Sequence, residues 1–542
     1  MAISSKVKEK LMSASMQGKP KKIYMPSKDA KLKDGEVITK IPKIVSESVK
    51  EIQINPVVEP YTYVRITYDN KTNEYTYEVI EPDLDEDEEA VLKTLKERLV
   101  EEVELVEIEE EKDKERYLEN KVKAILREMG LRLRNVSEKR ILYYIIRDFI
   151  GFGPIDVIMK DVDPEDISCD GVGIPIFVFH RKFGSMKSNV VFEDAAELDN
   201  FVVWIAQRSG KHISVADPML DATMPDGSRL QQTLGTHVTQ RGSSFTIRRF
   251  EEEPYTPIHL IHFKTFSPEM MAYAWIAMEH GQSMLICGGT ASGKTTTLNA
   301  MLLFIPPQMK IVSIEDTREL NLPHDNWVPL LTRSGFGEMD DSGVKAGEID
   351  MFELLQAALR QRPQYLMVGE VRGAEAYVVF QAMATGKAAY TTFHADDVQT
   401  FVNRMENEPI NLPRALVAAL DIVLLQGKVK VGTKMTRRIK AITEIVAVEP
   451  DSNELITNNA YTWNPADDSF NFSGHSYTYT KVAQQKNWTS REMDREVKRR
   501  KMVLEYLDKK NVLNYREFAK ITSSYYRDKK FVMDLVKEEL GE

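Results

Sequence analysis

The chain has 542 residues, room for roughly three to four domains, and its 42% hydrophobic and 29% charged residues describe a folded, water-soluble protein rather than a disordered one. Two cysteines, Cys169 and Cys287, exclude a disulfide framework and a four-thiolate metal site and fit a reducing compartment. No apolar run approaches the about 20 residues of a membrane-spanning helix, so any membrane contact would run through a partner. The net charge of −11 is unevenly spread: residues 1–43 hold eleven lysines against four acids, +7, and residues 81–111 hold fifteen acids against three basic residues, −12.

In chain order, the start "MAISSKVKEKLMSASMQGKPKK" lacks the apolar core of a signal peptide, which predicts a cytoplasmic protein. The basic arm at 1–50 is either a contact for anionic lipid, nucleic acid or an acidic partner, or a solvated tail. Residues 51–81 alternate apolar and polar around "YDNKTNE" and read as a hairpin or small sheet. The acidic run carries Val91, Leu92, Leu95 and Leu99 at helical spacing, which predicts an amphipathic helix. A helical pattern continues to "ILYYIIRDFIGFGPI", where Gly151, Gly153 and Pro154 stop it.

From 155 to 250 strands and turns dominate, with one helix near "AAELDNFVVWIAQRSGK". "EEEPYTP", residues 251–257, is the best linker candidate. Beyond it, short strands alternate with helices, which predicts a parallel, doubly wound sheet at 258–450. Residues 451–542 read as a mainly helical extension, with a capping box at Thr489 and Glu492. The predicted organisation is thus a basic arm (1–50), an α+β and helical subdomain (51–154), an α+β domain (155–250), a linker, an α/β core and a helical C-terminal extension.

"GGTASGKT", residues 288–295, fits the phosphate-binding pattern G-x-x-x-x-G-K-[ST]. In such a loop, glycines let backbone N–H groups of Gly288, Gly289, Thr290, Ala291, Ser292 and Gly293 curl around phosphate oxygens, at a helix N-terminus whose dipole favours them. Lys294 then bridges the β- and γ-phosphates, the Thr295 hydroxyl ligates Mg²⁺, and Thr296 follows in the same turn. ATP and Mg²⁺ are the expected cofactors.

Hydrolysis also needs acids near the γ-phosphate. "SIEDTREL" places Glu315, Asp316 and Glu319 past the carboxyl end of a strand, where ligands bind in open α/β sheets, unless this is merely an acidic helix start. "YLMVGEVRG" puts Gly369 where many P-loop ATPases carry a magnesium-holding aspartate, with Glu370 one step later. His394, after "AAYTTF", is either a γ-phosphate sensor or a structural histidine. Arg229, Arg241, Arg248 and Arg249 lie outside the core and suit either transition-state charge or surface contact.

Together these segments resemble the type II/type IV secretion and pilus ATPase superfamily, and within it the archaeal archaellum motor ATPase. The resemblance covers roughly residues 130–542 and is strongest at 217–450. It rests on "GGTASGKTTT", on "SIEDTREL" as the aspartate box, on "YLMVGEVRGAEA", on "TGKAAYTTFHA" as the histidine box, and on "DGSRLQQT" with "RGSSFTIRRF". Lys387 stands where many members carry a histidine, so only His394 is carried over.

The resemblance implies a RecA-like core and an ATP site covered by the 155–250 domain. Glu315, Glu370, Arg229, Arg248 and His394 would act in catalysis, Arg241 would bind nucleotide, and Thr295, Asp316 and Glu370 would serve the metal. It further implies a homo-hexamer that is cytoplasmic and peripheral to the inner face of the membrane. A polytopic platform protein, a second cytoplasmic nucleotide-binding motor protein and, indirectly, filament subunits would be its partners; no nucleic acid is expected. The rivals are another archaeal type IV pilus or type II-like secretion ATPase, a nucleic-acid-translocating P-loop motor, and a nucleotide-switched scaffold with little turnover.

Overall fold

The computed structural model describes residues 38–102, 111–250, 253–333, 335–339, 345–432, 434–451 and 454–540. Most of the expected basic arm and residues 103–110, near the end of the acidic run, lie outside the described residues. The chain divides between Phe250 and Glu251 into two compact units, at the first residue of the stretch expected to be a linker.

The first unit is built on one nine-stranded sheet in the order β1-β2-β3-β6-β5-β4-β9-β8-β7. Its strands are β1 (Val49–Val58), β2 (Thr62–Asp69), β3 (Glu74–Ile80), β4 (Pro164–Cys169), β5 (Pro175–His180), β6 (Gly184–Val191), β7 (Met219–Thr223), β8 (Arg229–Thr233) and β9 (Ser244–Arg248). The β1–β3 meander is the alternating stretch at 51–81. The expected boundary at 154–155 falls inside this sheet, because β3 pairs in parallel with β6 through Thr76↔Lys187 and Tyr77↔Ser188. Asn189 extends that seam, its side chain donating to the Val79 carbonyl and accepting from the Val79 N–H at 2.9 and 2.8 Å. The pairing covers a strand edge that would otherwise lie open.

Between the two strand groups run α1 (Glu86–Glu102), α2 (Glu111–Glu128) and α3 (Asn135–Phe149). Leu92, Leu95 and Leu99, picked out by their spacing, are buried against Leu118, Val122 and Ile125 of α2 and Ile141 and Ile145 of α3. Glu86, Asp87, Glu89, Glu97 and Glu101 of α1 are exposed, while Glu88 is buried and faces Arg140 at 3.7 Å. A short α4 (Asp156–Lys160) and α5 (Ala195–Arg208) complete the unit.

The second unit begins with α6 (Pro257–His262) and α7 (Pro268–Glu279), followed by β10 (Met284–Cys287), α8 (Lys294–Leu302), β11 (Ile311–Glu315) and β12 (Trp327–Leu331). A two-stranded ribbon, β13 (Phe336–Met339) and β14 (Lys345–Ala346), precedes α9 (Met351–Arg360), β15 (Tyr365–Val368), α10 (Glu375–Ala384) and β16 (Ala388–Phe393). Then come α11 (Val398–Glu406), α12 (Arg414–Val417), β17 (Ile422–Val431), β18 (Lys434–Val448), β19 (Leu455–Asn464) and β20 (Ser469–Phe472). Four helices close the unit: α13 (Tyr477–Lys486), α14 (Ser490–Lys509), α15 (Tyr515–Arg527) and α16 (Lys529–Leu540).

The main sheet runs β12-β11-β15-β16-β10-β17-β18-β19-β20. It is parallel from β12 to β17 and antiparallel from β17 onward. Both faces of its parallel half are covered: Met284, Ile286 and Met367 enter one core, while Leu285, Cys287, Leu366 and Val368 enter another. That explains why these strands read as unbroken apolar runs.

The stretch expected to open a helical extension at 451 instead supplies β19 and β20 to this sheet, and the helices start at Tyr477. Their anchor is ionic as well as apolar. Arg500 is fully buried, pairs with Glu279 of α7 at 2.5 Å and with Glu496 at 2.8 Å, and lies over the rings of Trp275 and Tyr525.

Candidate nucleotide site

The carboxyl ends of β10, β11, β15 and β16 lie along one edge of the parallel sheet, and the chemistry predicted from sequence gathers there. Between β10 and α8 the loop Gly288–Gly293 is held from three sides. Its first amide, Gly288 N–H, donates to Phe393 O at 3.3 Å, tying it to β16. From β17, Gln426 Nε2 donates to Ser292 O at 2.8 Å. From β18, Arg437 Nε donates to Ala291 O at 3.2 Å. A Cβ on Gly288 would strike the Gln426 carbonyl, so glycine is required for this approach. Gly293 adopts φ +91°, the left-handed turn that launches α8.

Lys294 is buried, and its ammonium folds back onto the carbonyls of Gly288 and Gly289 at 2.9 and 3.1 Å. Burial lowers its pKa, and the field of Glu370 opposes that drop. Thr295 and Thr296 fall in the first turn of α8. The buried Ser292 hydroxyl has no hydrogen-bond partner. The Gly288 and Ser292 amides, expected to hold phosphate, donate instead to Phe393 O and Gly289 O; the lysine folded over the loop and the unspent Ser292 hydroxyl are what fits the phosphates of a nucleotide.

The two strand-end glutamates sit differently. Glu315 ends β11 almost fully buried, at 2% exposure. Its Oε1 accepts from the backbone N–H of Glu319 and Leu320 at 2.9 and 3.0 Å, while Oε2 is buried without a partner. Burial pushes its pKa up to about 7, against the two N–H donors that favour the charged form. Glu370 is half-buried and bonds Arg372 at 2.5 Å.

Gly369, the residue standing where an aspartate was expected, lies over Glu315: a Cβ there would sit 3.4 Å from Glu315 Cγ. Asp316 is exposed and accepts from Thr332 Oγ1 at 3.2 Å. Glu319, at the turn that Glu315 caps, contributes to the field at Lys294. Among the described residues no group of three or more His, Cys, Asp or Glu forms a metal cluster. A metal here would be held by Thr295, one or two carboxylates and phosphate oxygens, which is the Mg²⁺ pattern.

His394, just past β16, shares a hydrogen bond of 2.8 Å between Nε2 and Thr290 Oγ1, so the histidine touches the loop itself. The arginines belong to the first unit. Arg229 on β8 and Arg248 on β9 are direct cross-strand partners, both exposed. On its other side Arg248 faces Asp166 of β4, whose carboxylate lies in its field. Arg241 is exposed in the turn before β9 and its carbonyl accepts from Val172 N–H at 3.1 Å. Arg249 differs: its guanidinium is spent on the carbonyls of Asp161 and Pro164.

Sequence reasoning missed Gln426, Arg437, Arg372 and Asp396, which also bears on Lys294. Gln426 and Arg437 lie more than 130 residues downstream of the loop, and only the pairing of β17 with β10 brings them to it. Arg372 follows Glu370 by two positions and was legible as a partner.

A P-loop between strand and helix, on a parallel sheet that carries acids at two further strand ends, defines a RecA-like ATPase core. The chain belongs to the type II/IV secretion system protein family, whose profile matches residues 183–510. Residues 5–83 match a second profile, PilB3-like, N-terminal. Uncharacterized protein MJ0900 of Methanocaldococcus jannaschii is 37% identical over 415 residues, covering 76% of this chain and 72% of that protein. Protein VirB11 of Agrobacterium tumefaciens is 32% identical over 176 residues, covering 32% of this chain and 49% of that one. Among solved structures, the Legionella pneumophila ATPase DotB is similar at 16% identity and a TM-score of 0.38, covering 64% of this chain and 96% of that one. The pilus retraction motor PilT with bound ADP is similar at 17% identity and a TM-score of 0.36, covering 67% and 94%. Among the described residues no helix is long and apolar enough to cross a membrane.

Proposed function

We propose that the chain is a Mg²⁺-dependent ATPase that powers assembly of a type IV pilus-like filament, either the archaellum or a related archaeal pilus. The observation that carries this reading is the convergence on one sheet edge: Lys294 in the P-loop, Glu370 in its electrostatic field, and Glu315 beneath Gly369. In this reading Lys294 and the loop amides hold the triphosphate, and Thr295 holds the metal with help from Asp316 and Glu370. Glu370 polarises the attacking water, and Glu315 fixes the turn that carries Glu319. His394 reports on the γ-phosphate through Thr290. Arg229 and Arg248 offer paired positive charge for the transition state, with Arg241 as a further nucleotide contact.

The same reading assigns a homo-hexamer at the inner face of the membrane, working on a polytopic platform protein beside a second cytoplasmic nucleotide-binding motor protein. The PilB3-like match over residues 5–83 supports the pilus as the filament served, and rotation of an archaellum would be the additional task. Deleting the protein separates the two: lost surface filaments with intact swimming assign a pilus, and lost swimming assigns an archaellum.

Lys294→Ala tests the enzymatic core. Phosphate release should fall by about 10³-fold or more, since the lysine bridges the phosphates that carry the transition-state charge. Unchanged turnover in this variant would remove the ATPase reading.

A further inference from the structure

The C-terminal helices carry a concentration of charge that the nucleotide site does not use. Between α14 and α16 lies a groove of about 530 Å³. On α14 it is lined by Arg495, Lys498, Arg499 and Met502, and on α16 by Lys530, Met533, Asp534 and Lys537. Both sets follow the spacing i, i+3, i+4, i+7, so each forms a single stripe along its helix. With Lys529, six cations and one acid face the groove on a chain of net charge −11.

Most of that charge is unspent. Arg499 and Lys529 both close on Glu496, at 2.6 and 2.7 Å. Among the described residues Arg495, Lys498, Lys530 and Lys537 have no ion pair, and all four are exposed. On α14, Arg495 stands three and four residues before Lys498 and Arg499, like charges on one face that disfavour the helix, whereas on α16 Asp534 lies between Lys530 and Lys537. The lining also holds Met502, half-buried, and Met533, buried, and methionine adapts to apolar side chains of varied shape. No aromatic lines the groove, which leaves nucleic-acid bases without a stacking platform. A planar lipid surface would meet the cationic rims but not the recessed methionine.

We propose that this groove docks an acidic, amphipathic peptide segment of a partner protein. Its carboxylates meet Lys498, Lys530 and Lys537, and its apolar side chains rest on Met502 and Met533. The inference does not rest on ATP hydrolysis. Half of the groove, the α16 half, lies beyond residue 510, where the family match ends.

The test uses the full chain and a fluorescein-labelled peptide of glutamates with leucines at helical spacing. Binding is followed by anisotropy against a triple charge reversal, Lys498→Glu, Lys530→Glu and Lys537→Glu. A control reverses the exposed Lys40, Lys43 and Lys50, keeping total charge equal. The groove variant should bind about tenfold or more weakly while the control matches the native chain, and added salt should weaken native binding. Melting curves verify that both variants fold; Met502→Ser, which leaves every charge in place, should weaken binding severalfold and covers the case in which the triple variant does not fold. Equal loss in both triple variants, or no peptide binding, overturns the proposal. So does groove-dependent sedimentation with phosphatidylglycerol vesicles in the absence of peptide binding, which would assign the surface to lipid.

Discussion

Glu315 and Glu370 reach the same sheet edge by neighbouring strands, yet one is buried and clamped by backbone amides while the other is half-exposed and clamped by an arginine. The clamps differ in what they leave available. Two N–H donors to one oxygen make Glu315 part of the turn at 316–320, and moving it would release that turn. Arg372 is itself largely exposed, so its hold on Glu370 is easily exchanged for water or metal. A carboxylate that must act on water has to be free to change partners, which favours Glu370 for that role and Glu315 for holding the site's shape.

The strongest way to break this contrast is to neutralise each acid in turn. Glu370→Gln should lower ATP turnover by about 10²-fold or more and leave ATP binding nearly unchanged, as expected for loss of a general base. Glu315→Gln should weaken binding and turnover together. Equilibrium binding of a fluorescent ATP analogue beside single-turnover phosphate release separates the cases. If Glu315→Gln binds normally and fails to hydrolyse while Glu370→Gln still turns over, the two assignments exchange.

The buried acid also has a pH signature. Its pKa rises from an unfolded value near 4.5 to about 7 in the fold. Between those values the native state holds a proton that the unfolded state has lost. Its contribution to stability is therefore full below about pH 4.5 and is lost as pH climbs through 7, a change on the order of 3 kcal/mol. Glutamine keeps an oxygen for both N–H donors and never ionises. Urea unfolding at pH 5.5 and 8.5 should show the native chain losing stability relative to Glu315→Gln across that interval. Parallel pH profiles would mean that the carboxylate titrates normally.

How far the sequence revealed this site depends on how locally each part is encoded. The P-loop is contiguous, its glycines answer a backbone need, and its strand and helix flank it, so Lys294 and Thr295 were legible at once. The acids were legible as residues at strand ends, but their different burial was not: it depends on Gly369 lying over Glu315, a contact between strands 50 residues apart. Gln426 and Arg437 were invisible because register, not composition, puts them on the loop. The same limit hid the single sheet of the first unit, joined through β3 and β6, and the two strands that extend the second sheet past residue 450. Arg500 is fully buried, and its ion pairs with Glu279 and Glu496 answer its charge there; the pairing with Glu279, more than 200 residues away in the chain, could not be read from the sequence.

Arg437 sharpens the contrast from the other side of the loop. It touches the P-loop without belonging to either acid's strand, through one hydrogen bond to Ala291 O at 3.2 Å. Arg437→Ala should raise the ATP concentration needed for half-maximal turnover by about fivefold, the equivalent of one hydrogen bond, with a smaller change in maximal rate. An equal fall in maximal rate would mean that Arg437 meets the transition state rather than shaping the loop.

The smallest expected effect belongs to Gly369. Its backbone is not in the left-handed region, and a Cβ would stand 3.4 Å from Glu315 Cγ, an ordinary van der Waals contact. Gly369→Ala should therefore fold with little change in melting temperature and retain most turnover. Gly369→Asp, which restores the acid common at this position in other P-loop enzymes, should do worse than alanine, because it brings a second carboxylate against a buried one. Two acids at that distance resist ionising together, so Gly369→Asp should be destabilised most at alkaline pH and recover toward pH 5. If aspartate were tolerated as well as alanine at pH 8.5, Gly369 would not be the residue that makes room for Glu315, and the division of acids between the two strands would need another cause.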